Sequence, residues 1–126
     1  MKWLLLICIL IALVYVYLIY PNMRKKNCSV LSSYYYAHRG FHDNMSDAPE
    51  NSMKAFALAV DNGYGIEMDV QLTKDDIPVV FHDFTLRRVC GVEGKVRDYT
   101  YSELKEFRLC GSDQYIPTLV EFLELV

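Results

Sequence analysis

The sequence predicts an α/β fold of parallel character, about three strands long, set behind an apolar N-terminal helix. Three observations predict it. An uncharged 18-residue run opens the chain. The residues after it alternate strand-like and helix-like patterns in a β-α-β-β-α order, which calls for helical crossovers. The His, Arg and Asp residues best suited to chemistry fall where the strands end, as they do in parallel α/β folds.

The opening run, WLLLICILIALVYVYLIY (3–20), has no charge, Gly or Pro. As a helix it measures roughly 27 Å at ~1.5 Å per residue, close to the ~30 Å hydrocarbon core of a bilayer. It therefore predicts a single membrane span. A cleaved signal peptide is the competing reading, but its apolar region is typically ~7–15 residues and ends in a small-x-small site. Here Pro-Asn-Met-Arg-Lys-Lys follows instead. Tyr15, Tyr17 and Tyr20 thicken toward the C-terminal end of the run, and Arg24-Lys25-Lys26 sits just beyond it. Those cations, against Lys2 and the amino terminus, lean the body of the protein toward the cytoplasm. The organisation expected is an anchor with its flanks (1–23), a polar juxtamembrane tether (24–33) and a folded body (34–126).

Of the 13 Lys and Arg, Lys2, Arg24, Lys25 and Lys26 precede residue 27, so nine remain against all 16 Asp and Glu, a formal charge of −7. A body this acidic lacks the basic footprint of a nucleic-acid binder. Cys8 lies in the apolar run, and Cys28, Cys90 and Cys110 show neither CxxC nor zinc-like spacing. They read as free or buried thiols.

Tyr34–Ala37 is a short β-prone run ending at His38-Arg39-Gly40, and the Asp-, Asn- and Ser-rich stretch 41–48 reads as a loop. Asn51 or Ser52 caps a helix whose Met53, Phe56, Ala57 and Val60 recur at helical spacing until Asn62-Gly63. Ile66–Leu72 alternates as one strand, with Ile66, Met68, Val70 and Leu72 on one face and Glu67, Asp69 and Gln71 on the other. Thr73–Asp76 turns the chain, Pro78–Phe81 forms a third strand, and His82-Asp83 stands at its end. Thr100-Tyr-Ser-Glu103 and Thr118-Leu-Val-Glu121 are capping boxes, the first with Tyr99 and Leu104 placed as a hydrophobic staple. In the last helix Leu119, Phe122, Leu123 and Val126 share a face, and the sequence stops there without a C-cap Gly or Asn. A closed (β/α)8 barrel takes ~250 residues, so the chain reads either as a piece of one or as a small open α/β module.

Period-two geometry puts Glu67 and Asp69 on one face, roughly 7 Å apart. Two carboxylates so placed on a buried strand need a cation or hydrogen-bond donors, and a hard ion such as Mg²⁺ or Ca²⁺ suits oxygen ligands. A solvated open face is the alternative. His38 and His82 end different strands, and parallel neighbours would bring both imidazoles over one pocket. There one would take a proton from an attacking hydroxyl and the other give one to a leaving alkoxide. Arg39 has the planar fork that holds phosphate oxygens. His42 sits in a polar loop and is assigned no role.

The strings AHRG (37–40), PENS (49–52), Ala55-Phe56, IEMDVQLTKD (66–75), PVVFHD (78–83), Leu86-Arg87 and IPTL (116–119) together resemble the glycerophosphodiester phosphodiesterase family, collinearly from about residue 36 onward. The resemblance implies a TIM-barrel domain, here incomplete with about its first three strands. It also implies hydrolysis of glycerophosphodiesters to sn-glycerol 3-phosphate and an alcohol with a divalent metal, Ca²⁺ or Mg²⁺. On this chain it makes His38 and His82 the acid-base pair, Arg39 the phosphate contact, and Glu67 and Asp69 metal ligands; Pro49-Glu50-Asn51 shapes the loop. Members of the family continue past the IPTL helix into a strand carrying Glu-x-Lys, and nothing after residues 116–119 matches that strand, so the resemblance assigns activity to a full-length parent. Two other readings stay open: a non-catalytic, membrane-anchored half-barrel module, and a related phospholipase-type phosphodiesterase. The substrate alcohol and the oligomeric state are left undetermined.

Overall fold

The computed structural model describes residues 2–20 and 29–126. Arg24, Lys25, Lys26 and Cys28, on which the orientation and part of the cysteine reading rest, lie outside the described residues. The chain divides into two compact units, residues 1–30 and 31–126. In the first, α1 (Lys2–Ile19) is a single helix with no buried residue. By length and composition it is long and apolar enough to cross a membrane, a description that a signal sequence near the N-terminus also meets. A single helical turn, α2 (Ser29–Ser32), falls inside the expected tether.

In the second unit β1 is Tyr36–His38, two residues later than the aromatic run suggests. Tyr34 and Tyr35 precede it exposed. The helix α3 (Met53–Asp61) starts as its cap predicts: Ser52 Oγ accepts from Ala55 N at 3.1 Å, satisfying an amide the first turn leaves without a partner. α3 buries Ala55, Phe56 and Ala59.

The expected strand Ile66–Leu72 is two strands, not one. β2 (Gly65–Glu67) pairs parallel with β1, whereas β3 (Val70–Leu72) pairs antiparallel with β4 (Pro78–Val80). The chain changes partner at Met68-Asp69, so alternation alone misplaces the inward face. Ile66 and Met68 pack on the core, but Val70 and Leu72 are exposed. The antiparallel pairing, which corrects the expectation of parallel strands, follows from the five-residue link 73–77, since a parallel return needs about a dozen residues. Buried Thr73 organises that link, its Oγ1 donating to Asp75 Oδ1 at 2.6 Å and accepting from Ile77 N at 2.9 Å.

Among the described residues there are four strands in two two-stranded sheets and no closed barrel. β4 is the central element because both its faces are covered. Val79 joins a cluster with Phe81, Leu86, Val89, Val96, Leu104, Leu109 and Ile116. Val80 joins Phe56 and Phe122, whose rings meet edge-to-face at 4.9 Å between centroids.

Three further helices follow: α4 (Arg87–Cys90), α5 (Tyr101–Leu104) and α6 (Leu119–Leu125). The caps of α5 and α6 are the two boxes read from sequence, closed in both directions. On α6 Phe122 is buried and Leu119 packs beside it, while Leu123 and Val126 are exposed, so the apolar face is only half used. α4 and the 3-10 turns Val96–Asp98 and Leu109–Gly111 are too short for periodicity to reveal. Cys8, Cys90 and Cys110 are free, and burial pushes the Cys90 thiol up to about 12, which fits inert rather than nucleophilic sulfur.

Candidate active site

The sequence-predicted residues gather in two arms. The first begins where β1 ends. His38 is the register partner of Glu67, and their side chains, both largely exposed, approach to 3.6 Å between Nε2 and Oε2. At Arg39 the backbone enters the left-handed region (φ 59°), costly for a residue with a Cβ. It is held there by Arg39 N donating to Glu67 O at 2.8 Å and by Asn51 N donating to Arg39 O at 2.9 Å. Gly40 completes the turn at φ +85°, where a Cβ would lie 2.9 Å from the Ala55 Cβ, so only glycine lets α3 come this close.

The turn carries Arg39 inward to Glu50. Glu50 is 4% exposed. Its carboxylate accepts from Arg39 Nη1 at 3.4 and 3.3 Å and from Asn44 Nδ2 at 3.2 Å. It accepts as well from Arg88 Nη2. Burial would raise its pKa, but the hydrogen bonds from Arg88 and Asn44 and the charges of Arg88 and Arg39 outweigh it and hold the group ionised below the usual range.

The second arm stands at the end of β4. Gln71 Nε2 reaches across from β3 and donates to the carbonyls of Phe81, His82 and Asp83 at 3.0, 3.3 and 2.9 Å, clamping that corner. His82 Nδ1 lies 2.7 Å from Asp83 Oδ1. Arg88, on α4, donates from Nε to Asp83 Oδ2 at 2.6 Å and from Nη2 to Asp83 Oδ1 at 2.8 Å. This fork, with a smaller contribution from His82, lowers the Asp83 pKa to about 2 against the cost of burial. The same two carboxylates, Asp83 and Glu50, raise the Arg88 pKa above its usual value. A groove of about 710 Å³ beside this arm is walled by Asp69, Gln71, His82 and Asp83, with Val70, Phe84 and Thr85.

The expected placing of two carboxylates on one strand is corrected. Glu67 and Asp69 do not share a strand face: Glu67 ends β2 beside His38, whereas Asp69 lies past the strand in the wall of the groove. His82 lines the groove, and His38, Arg39 and Glu67 are not in its wall. The arms are joined instead through Glu50 and Arg88. From sequence Glu50 shapes the loop, and Gln71, Asp83 and Arg88 have no assigned role. The available signals were an acid in a loop otherwise built for a helix start and a His-Asp dipeptide at a strand end. His42 Nδ1 lies 3.2 Å from Gly40 O, a local turn contact.

Buried side-chain polar atoms without a partner are rare in folded proteins. Among the described residues there are three, Arg39 Nε, Asn51 Oδ1 and Asp69 Oδ2, and all belong to these arms. An unpartnered buried carboxylate oxygen on Asp69 suits a hard cation. No group of three or more His, Cys, Asp or Glu positioned to hold a metal occurs among the described residues.

Against known families, residues 38–126 match the glycerophosphoryl diester phosphodiesterase family. The chain belongs to that family. A glycerophosphodiester phosphodiesterase of Bacillus altitudinis is 48% identical over 99 residues, covering 72% of this chain and 39% of its own. Human glycerophosphodiester phosphodiesterase 1 is 36% identical over 94 residues, covering 68% of this chain and 28% of its own. Among solved structures, an Oleispira antarctica phosphodiesterase in complex with the product sn-glycerol-3-phosphate aligns with a TM-score of 0.65 at 35% identity, covering 75% of this chain and 41% of that one. The glycerophosphodiester phosphodiesterase of Thermotoga maritima aligns with a TM-score of 0.60 at 42% identity, covering 72% of this chain and 38% of that one. The present chain thus spans about two fifths or less of the glycerophosphodiester phosphodiesterases it matches. The family match opens at His38, the first residue of the first arm, and takes in both arms.

Proposed function

We propose that the protein carrying this chain is a membrane-anchored enzyme that hydrolyses glycerophosphodiesters to sn-glycerol 3-phosphate and an alcohol. The observation that carries the reading is the set of unpartnered buried atoms on Arg39, Asn51 and Asp69, in a chain whose family acts on phosphodiesters. Those atoms are a donor, an acceptor and an anionic oxygen, the complement a phosphate with its cation and a glycerol hydroxyl would satisfy.

In this reading Arg39 holds the phosphate. Its Nη1 is committed to Glu50, and its Nε is buried with no partner, so the fork is fixed in direction before substrate arrives. His38 and His82 exchange the protons: one imidazole takes the proton of the attacking glycerol hydroxyl, and the other protonates the departing alkoxide. Phosphorus is thereby transferred to a cyclic glycerol phosphate with release of the alcohol. Water then adds to the cyclic ester and the roles of the two imidazoles reverse. Glu67 and Asp69 are the residues that would hold a divalent cation, Ca²⁺ or Mg²⁺, which when bound polarises the phosphoryl oxygen and lowers the pKa of the attacking hydroxyl.

The domain arrangement proposed with it is α1 as a single span, residues 24–33 as tether and residues 34–126 as the start of the catalytic barrel, on the cytoplasmic side. An impermeant thiol reagent reacting on intact cells with a Cys placed beyond Lys26 would overturn that orientation. For the activity, the full-length protein is assayed for sn-glycerol 3-phosphate release from glycerophosphocholine and glycerophosphoethanolamine. Release should need divalent metal, be abolished by chelator, and be lost in His38→Ala and His82→Ala. No release, or release untouched by both substitutions, overturns the reading.

A further inference from the structure

Four charged groups outside the acid-base pair, Arg39, Glu50, Arg88 and Asp83, form an unbroken chain across the site. Glu50 takes hydrogen bonds from Arg39 on one side and Arg88 on the other, although Arg39 and Arg88 are 49 positions apart in the sequence. Arg88 then grips both oxygens of Asp83, and Asp83 lies against Nδ1 of His82. We infer that Glu50 and Arg88 are positioning residues that tie the phosphate arm to the proton-transfer arm, Arg88 acting through Asp83 to fix the tautomer and direction of His82. The inference rests on the proposed hydrolytic reading for its consequence in catalysis, but not for its geometry.

Asp83, ionised at any pH above its depressed range, can only accept, so the His82 Nδ1 facing it must carry the proton. Nε2 is then the bare nitrogen, the one that can take a proton from a hydroxyl. Alone, Asp83 could turn away from the imidazole. The Arg88 fork occupies both of its oxygens from one side and leaves Oδ1 aimed at His82. Arg88 would itself be a mobile surface side chain, 48% exposed, were its Nη2 not anchored on the 5% exposed Glu50 carboxylate. Glu50 is in turn fixed by Asn44, which donates to it through Nδ2 and accepts from its backbone N at 2.8 Å. Glu50 therefore sets where both guanidinium groups point, one toward phosphate and one toward the histidine partner.

The test reads the tautomer directly. In the 126-residue chain, held in a membrane mimetic and labelled with ¹⁵N-histidine, long-range proton–nitrogen spectra are recorded well above the usual imidazole pKa of about 6.5. Wild type should show His82 as the Nδ1–H form alone. Arg88→Met should convert it to a mixture, and Arg88→Lys, which lacks the planar fork, should not restore the single form. Because Arg88 is half exposed, its replacement leaves the core filled, and dispersion of the remaining amide signals reports folding in the same sample. In the full-length enzyme Arg88→Met should lower kcat at least about tenfold with KM little changed. Glu50→Gln should lower kcat and raise KM, since it loosens both arms. A His82 that is Nε2–H in wild type, or a tautomer and kcat both indifferent to Arg88→Met, overturns the inference. An inactive full-length protein whose His82 tautomer still depends on Arg88 overturns the hydrolytic reading and leaves the positioning geometry standing.

Discussion

Arg39 donates through Nη1 to both carboxylate oxygens of Glu50, at 3.4 and 3.3 Å, and Glu50 is almost wholly withdrawn from water. A carboxylate buried to this degree is tolerated because it is paired and fully hydrogen-bonded. It lies between a backbone turn forced into the left-handed region and a guanidinium from a helix that follows the second arm. The two arms therefore share one buried charge.

Removing that charge should cost stability. Glu50→Ala leaves Arg39, only 16% exposed at its side chain, facing a void without its counter-charge. The loss expected is about 2–4 kcal/mol, below the largest values for buried pairs because Arg88 can rotate into solvent. Urea denaturation of residues 31–126 against wild type checks it, and a change under about 0.5 kcal/mol would mean that Glu50 is not the anchor.

Asp83 gives a pH dependence whose sign is fixed. Its folded pKa, about 2, lies below the unfolded value. Its contribution is therefore complete above pH ~4 and disappears as the pH falls toward 2, with an upper bound of about 2 kcal/mol. The stability difference between wild type and Asp83→Asn, measured from pH 6 to pH 2, should narrow across that window. A difference that stays constant to pH 2 would show Asp83 unpaired with Arg88. Glu50 and Glu121, also depressed, lower overall stability in acid in the same direction.

Gly40→Ala combines a positive φ with a Cβ 2.9 Å from another Cβ. Unfavourable backbone conformation and overpacking against α3 together predict a loss of about 2–4 kcal/mol. A thermal midpoint within a degree or two of wild type would show that the turn and α3 separate freely.

Gln71→Leu removes the donor shared by the carbonyls of Phe81, His82 and Asp83. Hydrogen exchange at residues 81–84 should quicken at least about tenfold, corresponding to a local loss of about 1.4 kcal/mol, while α3 amides stay protected. Unchanged exchange would show the corner held by β3–β4 pairing alone.

What could be read from the sequence was what depends on neighbouring residues. Ser52, Thr100 and Thr118 cap helices through chemistry contained within four positions; Thr100 and Thr118 do so as expected, and Ser52 is the cap of the two candidates Asn51 and Ser52. The ends of β1 and β4, with His38 and His82, were legible for the same reason. Alternation at Ile66–Leu72 was visible but misleading, because period two reports pleating and not which strand lies alongside. The five residues between Leu72 and Pro78 already required an antiparallel return, so that correction was available in the link length. The Glu50–Arg88 pair was not legible. Its partners are 38 residues apart, on elements brought together by packing of the Leu86 and Val89 side chains into the main core, and nothing local marks them. Glu67 and Asp69 fall on either side of a strand end that the alternation does not reveal.

The central claim is that two arms, one ending in His38-Arg39 and one in His82-Asp83, make a single site for a phosphodiester. Titration of the full-length protein with sn-glycerol 3-phosphate, followed by NMR at Arg39 Nε, Asn51, Asp69 and His82, tests it most directly. The account predicts that all four respond along one saturation curve. Response of one arm alone, or two curves with different midpoints, would contradict it.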